Sequence, residues 1–176
     1  VSLIRRRGYP VKLSVSGDNK LAFITAPSES YPMSVDSTYI VDMTTGQLLG
    51  RLGCDSFWSN MALDDTGNYL ANNSTLYRIQ NDGITKVGKI NRGRFWVNNG
   101  ETHWVEQTDS ELIINRCPDL IPVVTIEVGA SGVFDWTIDQ LNDLIACRTG
   151  IQSVEYRIYD LNTGALVENK LIGLFT

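Results

Sequence analysis

Asp160-Leu161-Asn162-Thr163-Gly164-Ala165-Leu166-Val167 is matched without a gap by Asp42-Met43-Thr44-Thr45-Gly46-Gln47-Leu48-Leu49. Both read Asp, apolar, polar, Thr, Gly, any residue, Leu, apolar. An alternating aromatic and aliphatic run precedes each, Tyr156-Arg157-Ile158-Tyr159 in one case and Thr38-Tyr39-Ile40-Val41 in the other. Such a stretch encodes a hairpin. A strand ends at the Asp, whose carboxylate accepts backbone N–H groups of the turn. The Gly supplies a positive φ, and the apolar residues after it start the return strand. Two such hairpins far apart in one chain predict a tandem array.

A second block sets the repeat length. Val15-Ser16-Gly17-Asp18-Asn19-Lys20-Leu21-Ala22-Phe23 aligns on Leu63-Asp64-Asp65-Thr66-Gly67-Asn68-Tyr69-Leu70-Ala71. Val97-Asn98-Asn99-Gly100-Glu101-Thr102-His103-Trp104-Val105 and Ile138-Asp139-Gln140-Leu141-Asn142-Asp143-Leu144-Ile145-Ala146 fit the same frame. Each has an apolar lead, a polar turn rich in Asp, Asn and Gly, and an apolar triplet that lapses once, at His103. The leads lie 48, 34 and 41 residues apart, against the roughly 40–45 residues of a four-stranded blade. Strand, turn, strand, loop, strand, turn, strand is spelled four times. No segment keeps a helical period for ~12 residues, and the alignment assigns Asp135–Asp143 to a strand and turn.

These features resemble the WD40 class of β-propellers in divergent form. The matching elements are the turn before a strand at Val15-Ser16-Gly17-Asp18-Asn19-Lys20-Leu21 and the Asp-x-x-Thr-Gly-x-Leu turn near a unit's end. The family's Trp-Asp dipeptide is replaced by Val41-Asp42 and Tyr159-Asp160, and by Ile79-Gln80 in the second unit; no unit has its Gly-His dipeptide. The resemblance implies an all-β fold, a β-propeller-type array of four-stranded antiparallel blades. The expected divisions are residues 1–10, the outer strand of a preceding or closing blade, then blades at 11–53, 54–91, 92–129 and 130–176. Val1 is not an initiator Met, and a ring of this class usually has more blades. The expectation is therefore a fragment, with a ring completed by further sequence or by another chain; the alternative is a self-closed four-bladed ring that uses Leu3 to Arg5 as an extra strand.

Composition narrows the function classes. The net charge of −5 disfavours broad nucleic-acid or anionic-membrane binding, and no apolar run approaches the roughly 18 residues of a membrane span. Cys54, Cys117 and Cys147 are odd in number and widely spaced, which predicts reduced buried thiols and a cytoplasmic setting. Asn72-Asn73-Ser74-Thr75 holds two overlapping glycosylation triplets, which are common by chance. The single histidine, His103, stands where other units carry Leu21, Tyr69 and Leu144. It is expected to be packed and hydrogen-bonded rather than catalytic. Asp64, Asp65, Asp139, Asp143 and Asp160 fall at recurring turn positions, where Asp has a conformational role. No metal site, cofactor loop or catalytic constellation is predicted.

The expected site is a rim. Arg5-Arg6-Arg7 and Arg92-Gly93-Arg94-Phe95 lead into first strands, on the side expected to carry the loop from Ser28 to Ser37. Arg6, Arg7, Tyr31, Met33, Arg92 and Arg94 would there meet a protein or an acidic peptide. Trp58, Trp96, Trp104 and Trp136 are expected to pack between blades, or else to line a recognition surface. The function expected is a non-catalytic scaffold for protein–protein interaction. The alternatives are a substrate-gating propeller domain of a larger enzyme, such as an oligopeptidase, and a carbohydrate-binding propeller.

Overall fold

The computed structural model describes residues 12–17, 21–27, 35–53, 61–80, 83–129, 133–149 and 153–174. The described residues contain sixteen strands and no helix. The first sheet holds β1 (Lys12–Val15), β2 (Leu21–Pro27), β3 (Val35–Asp42) and β4 (Leu48–Gly53). The second holds β5 (Met61–Leu63), β6 (Tyr69–Asn72), β7 (Thr75–Gln80) and β8 (Gly83–Lys89). The third holds β9 (Gly93–Asn98), β10 (Glu101–Gln107), β11 (Glu111–Arg116) and β12 (Ile121–Glu127). The fourth holds β13 (Val133–Asp139), β14 (Leu144–Thr149), β15 (Ser153–Asp160) and β16 (Leu166–Leu174). Each sheet is an antiparallel meander with strands in chain order, the all-β blade array that the repeats predict. Two compact units result, Val1–Lys89 with the first two sheets and Ile90–Thr176 with the last two.

The two matching hairpins share one geometry because they share one sequence. Asp42 Oδ1 accepts the N–H groups of Thr44 (2.8 Å) and Thr45 (3.0 Å). Asp160 Oδ1 accepts those of Asn162 (2.9 Å) and Thr163 (2.8 Å). Gly46 and Gly164 both have φ of 73°, a left-handed conformation that costs glycine little. A register shift precedes each Asp, between Ile40 and Val41 and between Ile158 and Tyr159. The extra residue bends the outer pair and increases its twist.

The four lead positions are equivalent: Val15, Leu63, Val97 and Ile138 each end, or nearly end, the first strand of their sheet. The gap-free alignment nevertheless fails inside the third unit. Val15, Leu63 and Ile138 pair with Ala22, Leu70 and Ile145, whereas Val97 pairs with Thr102. The β9–β10 turn is two residues shorter than the others. Asn99 and Gly100, at φ of 50° and 80°, make a tight Asn-Gly turn with positive φ at both centres, as a type I′ hairpin requires. His103 therefore corresponds to Phe23, Ala71 and Ala146. Glu101 takes the place of Leu21, Tyr69 and Leu144.

In the first unit Ile40, Leu70 and Ile79 are buried together, with Leu49, Leu63 and Ile84 packed against them. Asn72 is buried and donates to the Gly53 carbonyl (3.2 Å), which leaves no room for a glycan there. The second unit has the larger core: Trp96, Val105, Leu112, Ile114, Ile126, Trp136, Ile145, Tyr159 and Leu161 among others. Phe95 and Trp104 meet edge to face, centroids 4.9 Å apart, on the opposite side of the third sheet. The Trp104 ring lies so close over Gly93 that a Cβ there would stand 2.7 Å from it. Cys147 is completely buried, and burial pushes its thiol up to about 12. Such a thiol is inert at neutral pH.

Candidate functional site

One side of β9 builds the site. Arg94, Trp96 and Asn98 alternate along it and so project from the same face, and all three meet the fourth sheet. The Arg94 guanidinium lies 5.2 Å from the centre of the Trp136 ring. Trp96 Nε1–H donates to Asp143 Oδ1 (3.0 Å), and Asn98 Nδ2 donates to Asn162 Oδ1 (2.7 Å). Gln107 adds a two-way link, since its Oε1 accepts from Trp136 Nε1 (3.0 Å) and its Nε2 donates to the Val133 carbonyl (2.6 Å). Arg157 Nη1 donates to the Val128 carbonyl (2.7 Å) while Nη2 meets Glu155 at 3.0 Å. With the shared apolar core, these bonds lock the third and fourth sheets face to face.

At the end carrying the tight Asn99-Gly100 turn, the two sheets leave a recess of about 400 Å³. Trp96 and His103 line it side by side, ring centroids 4.8 Å apart. Asn98, Asn99 and Glu101 come from the β9–β10 hairpin, and Val123 and Val124 from β12. Leu161 and Asn162 come from the β15–β16 turn, whose backbone is tied to the fourth sheet's first turn by Leu161 N–H donating to the Asp143 carbonyl (2.8 Å). That first turn also carries Gln140, which accepts Val97 N–H (3.3 Å), and Leu141, 95% exposed.

His103 is packed, as expected, and its ring has a hydrogen bond with the Glu101 backbone, while its Nδ1 is buried without a partner. Burial holds its pKa below the ordinary histidine value; Glu101 pulls it upward through its backbone carbonyl and its charge, and Arg116 pushes it down. The imidazole is therefore neutral at pH 7. Arg116, its cross-strand partner, directs its guanidinium toward Asp119 at 3.7 Å.

The sequence singled out other residues. Arg92 is exposed just before β9, and its carbonyl accepts from Gln107 N–H (2.9 Å), at the opposite end of the sheet from the recess. Arg94 lies within β9 rather than in the connection leading to it, exposed, with its guanidinium over the buried Trp136 ring. Arg6, Arg7, Tyr31 and Met33 lie outside the described residues, as does Trp58. The recess was hidden from sequence reading because it is assembled from turns some 60 residues apart. Its one local signal was Asn99-Gly100, which brings Glu101 and His103 to the sheet's end.

No protein family matches the chain by sequence, and no curated protein does. Solved structures do match. An eukaryotic initiation factor superposes with a TM-score of 0.70 at 13% identity, over 95% of this chain and 45% of its own. KlHsv2 with loop 6CD replaced by a Gly-Ser linker gives 0.62 at 14%, over 94% and 67%. Kuenenia stuttgartiensis hydrazine synthase gives 0.59 at 15%, over 93% and 49%. The fold is β-propeller-like. The chain spans about half the length of the hydrazine synthase chain it matches.

Proposed function

We propose that this chain is a non-catalytic binding module of the β-propeller class whose ligand is another protein. The observation that carries the reading is Leu141, a large apolar residue 95% exposed at a turn tip, whose neighbours Gln140 and Asp143 are bonded to the strand that floors the recess. An exposed aliphatic anchor beside a preformed polar recess is the anatomy of a protein-recognition patch. The interlocked sheets hold both in place before a partner arrives, which lowers the ordering cost of binding. A carbohydrate-binding role is less well supported, because Trp96, Trp104 and Trp136 are all buried and none offers an open face for a sugar ring.

The second reading keeps the basic rim as the contact for an acidic segment, and the exposure of Arg92 favours it. Peptide-display selection on the immobilised chain separates the two. The expected result is an enriched ligand whose affinity falls at least ~10-fold with Leu141→Asp and is unchanged by Arg92→Glu. The reverse pattern assigns the rim, and failure to enrich any ligand rejects the binding reading.

A further inference from the structure

We infer that the recess between the third and fourth sheets receives a basic side chain, an arginine guanidinium, from the protein partner. This rests on the binding reading above and adds its chemistry. Among the described residues Glu101 is the one charged residue lining the recess, and the remaining polar groups there are the amides of Asn98, Asn99 and Asn162 and the imidazole of His103. No lysine or arginine among the described residues lines it. An anion would meet the Glu101 carboxylate, and the nearby Arg116, cross-strand partner of His103, turns its guanidinium toward Asp119 at 3.7 Å. A guanidinium carries five N–H donors in a planar fork and accepts no hydrogen bond. It therefore suits a wall of carboxylate and amide oxygens.

The internal bonds limit what the other lining groups can offer. Asn98 gives its Nδ2 to Asn162 Oδ1, which leaves the Asn98 Oδ1 as an acceptor and the Asn162 Nδ2 as a donor, so the Glu101 carboxylate is what favours a cation. Trp96 has already given its N–H to Asp143 and is buried, so it offers the recess no free donor. Val123 and Val124, with Leu161, supply apolar walls along which the methylene stem of an arginine can lie. The volume of about 400 Å³ is at the small end of ligand sites, enough for one long side chain with adjacent backbone. Neutral His103 adds no repelling charge. A hydrogen-bonded contact between a guanidinium and the exposed Glu101 carboxylate is charge-assisted and can be bidentate.

The test is an NMR titration of the isotopically labelled chain with the blocked tripeptide acetyl-Gly-Arg-Gly-amide. Its citrulline counterpart, which keeps the shape and loses the charge, and methyl glucoside serve as comparison probes. The expected result is saturable shifts of the Trp96 indole N–H and the Asn98, Asn99 and Asn162 side-chain amides with the arginine peptide. Binding should be ~10-fold weaker for citrulline and ~10-fold weaker in Glu101→Gln, with the melting temperature of that variant unchanged. Equal binding of the citrulline peptide, preference for the glucoside, or no saturable shift up to ~10 mM overturns the inference. If Leu141-dependent ligands are still selected while the arginine titration fails, only the occupant of the recess is wrong; failure of both removes the binding reading as well.

Discussion

His103 shows how a residue that damages local stability is recognised. Its Nδ1 is buried and unpartnered, and an unsatisfied polar group of this kind costs about 1–3 kcal/mol. Replacing it with leucine removes the orphan nitrogen at little change in volume. His103→Leu is expected to raise the melting temperature at pH 7. The gain should grow with acidity. The folded-state pKa lies below the ordinary value of 6.5, so between the two the unfolded chain binds more protons, and stability falls as pH drops through that window. The leucine variant lacks this loss. Thermal denaturation of both proteins between pH 7 and pH 5 measures it; a constant difference, or a less stable leucine variant, contradicts the burial argument.

At the scale of the element, the two Asp-to-Gly hairpins have the same backbone and different surroundings. Met43, after Asp42, is half exposed, whereas Leu161, after Asp160, is completely buried in the core of the second unit and walls the recess. Leu161→Ala should therefore destabilise the protein by about 2–4 kcal/mol, and Met43→Ala by less than roughly 0.5 kcal/mol. Denaturant unfolding of the two variants reads the contrast, and equal losses would mean that the turns are buried alike. The pair also marks how far the sequence could be read. Carboxylate, threonine and glycine act within their own turn, so the hairpin was legible from spacing alone. Whether the apolar residue beside them is covered depends on a neighbouring sheet, to which local pattern is blind. The same holds for His103, whose place was misassigned because two missing residues between Val97 and Thr102 leave the polar character of the turn intact. The Asn-Gly dipeptide was the clue to that deletion.

For the molecule as a whole, four copies of one meander were legible because each repeats its pattern with hydrophobic alternation on the strands. The recess was not, since it exists only where turns from two sheets meet. Charge was a mixed guide. The two arginine clusters drew attention to a rim, yet Arg94 is engaged with Trp136. The acidic balance of the chain fits a basic partner as readily as the rim fits an acidic one, and the lining of the recess favours the first.

The third and fourth sheets form one interlocked body that holds its recess ready-made. Hydrogen exchange of two indole protons tests it, because Trp96 donates from the third sheet to Asp143 of the fourth and Trp136 donates from the fourth to Gln107 of the third. If the sheets are locked, both protons exchange slowly, with one shared opening free energy that Leu161→Ala lowers equally for both. Exchange at solvent rates, or two unrelated opening energies, would contradict the claim.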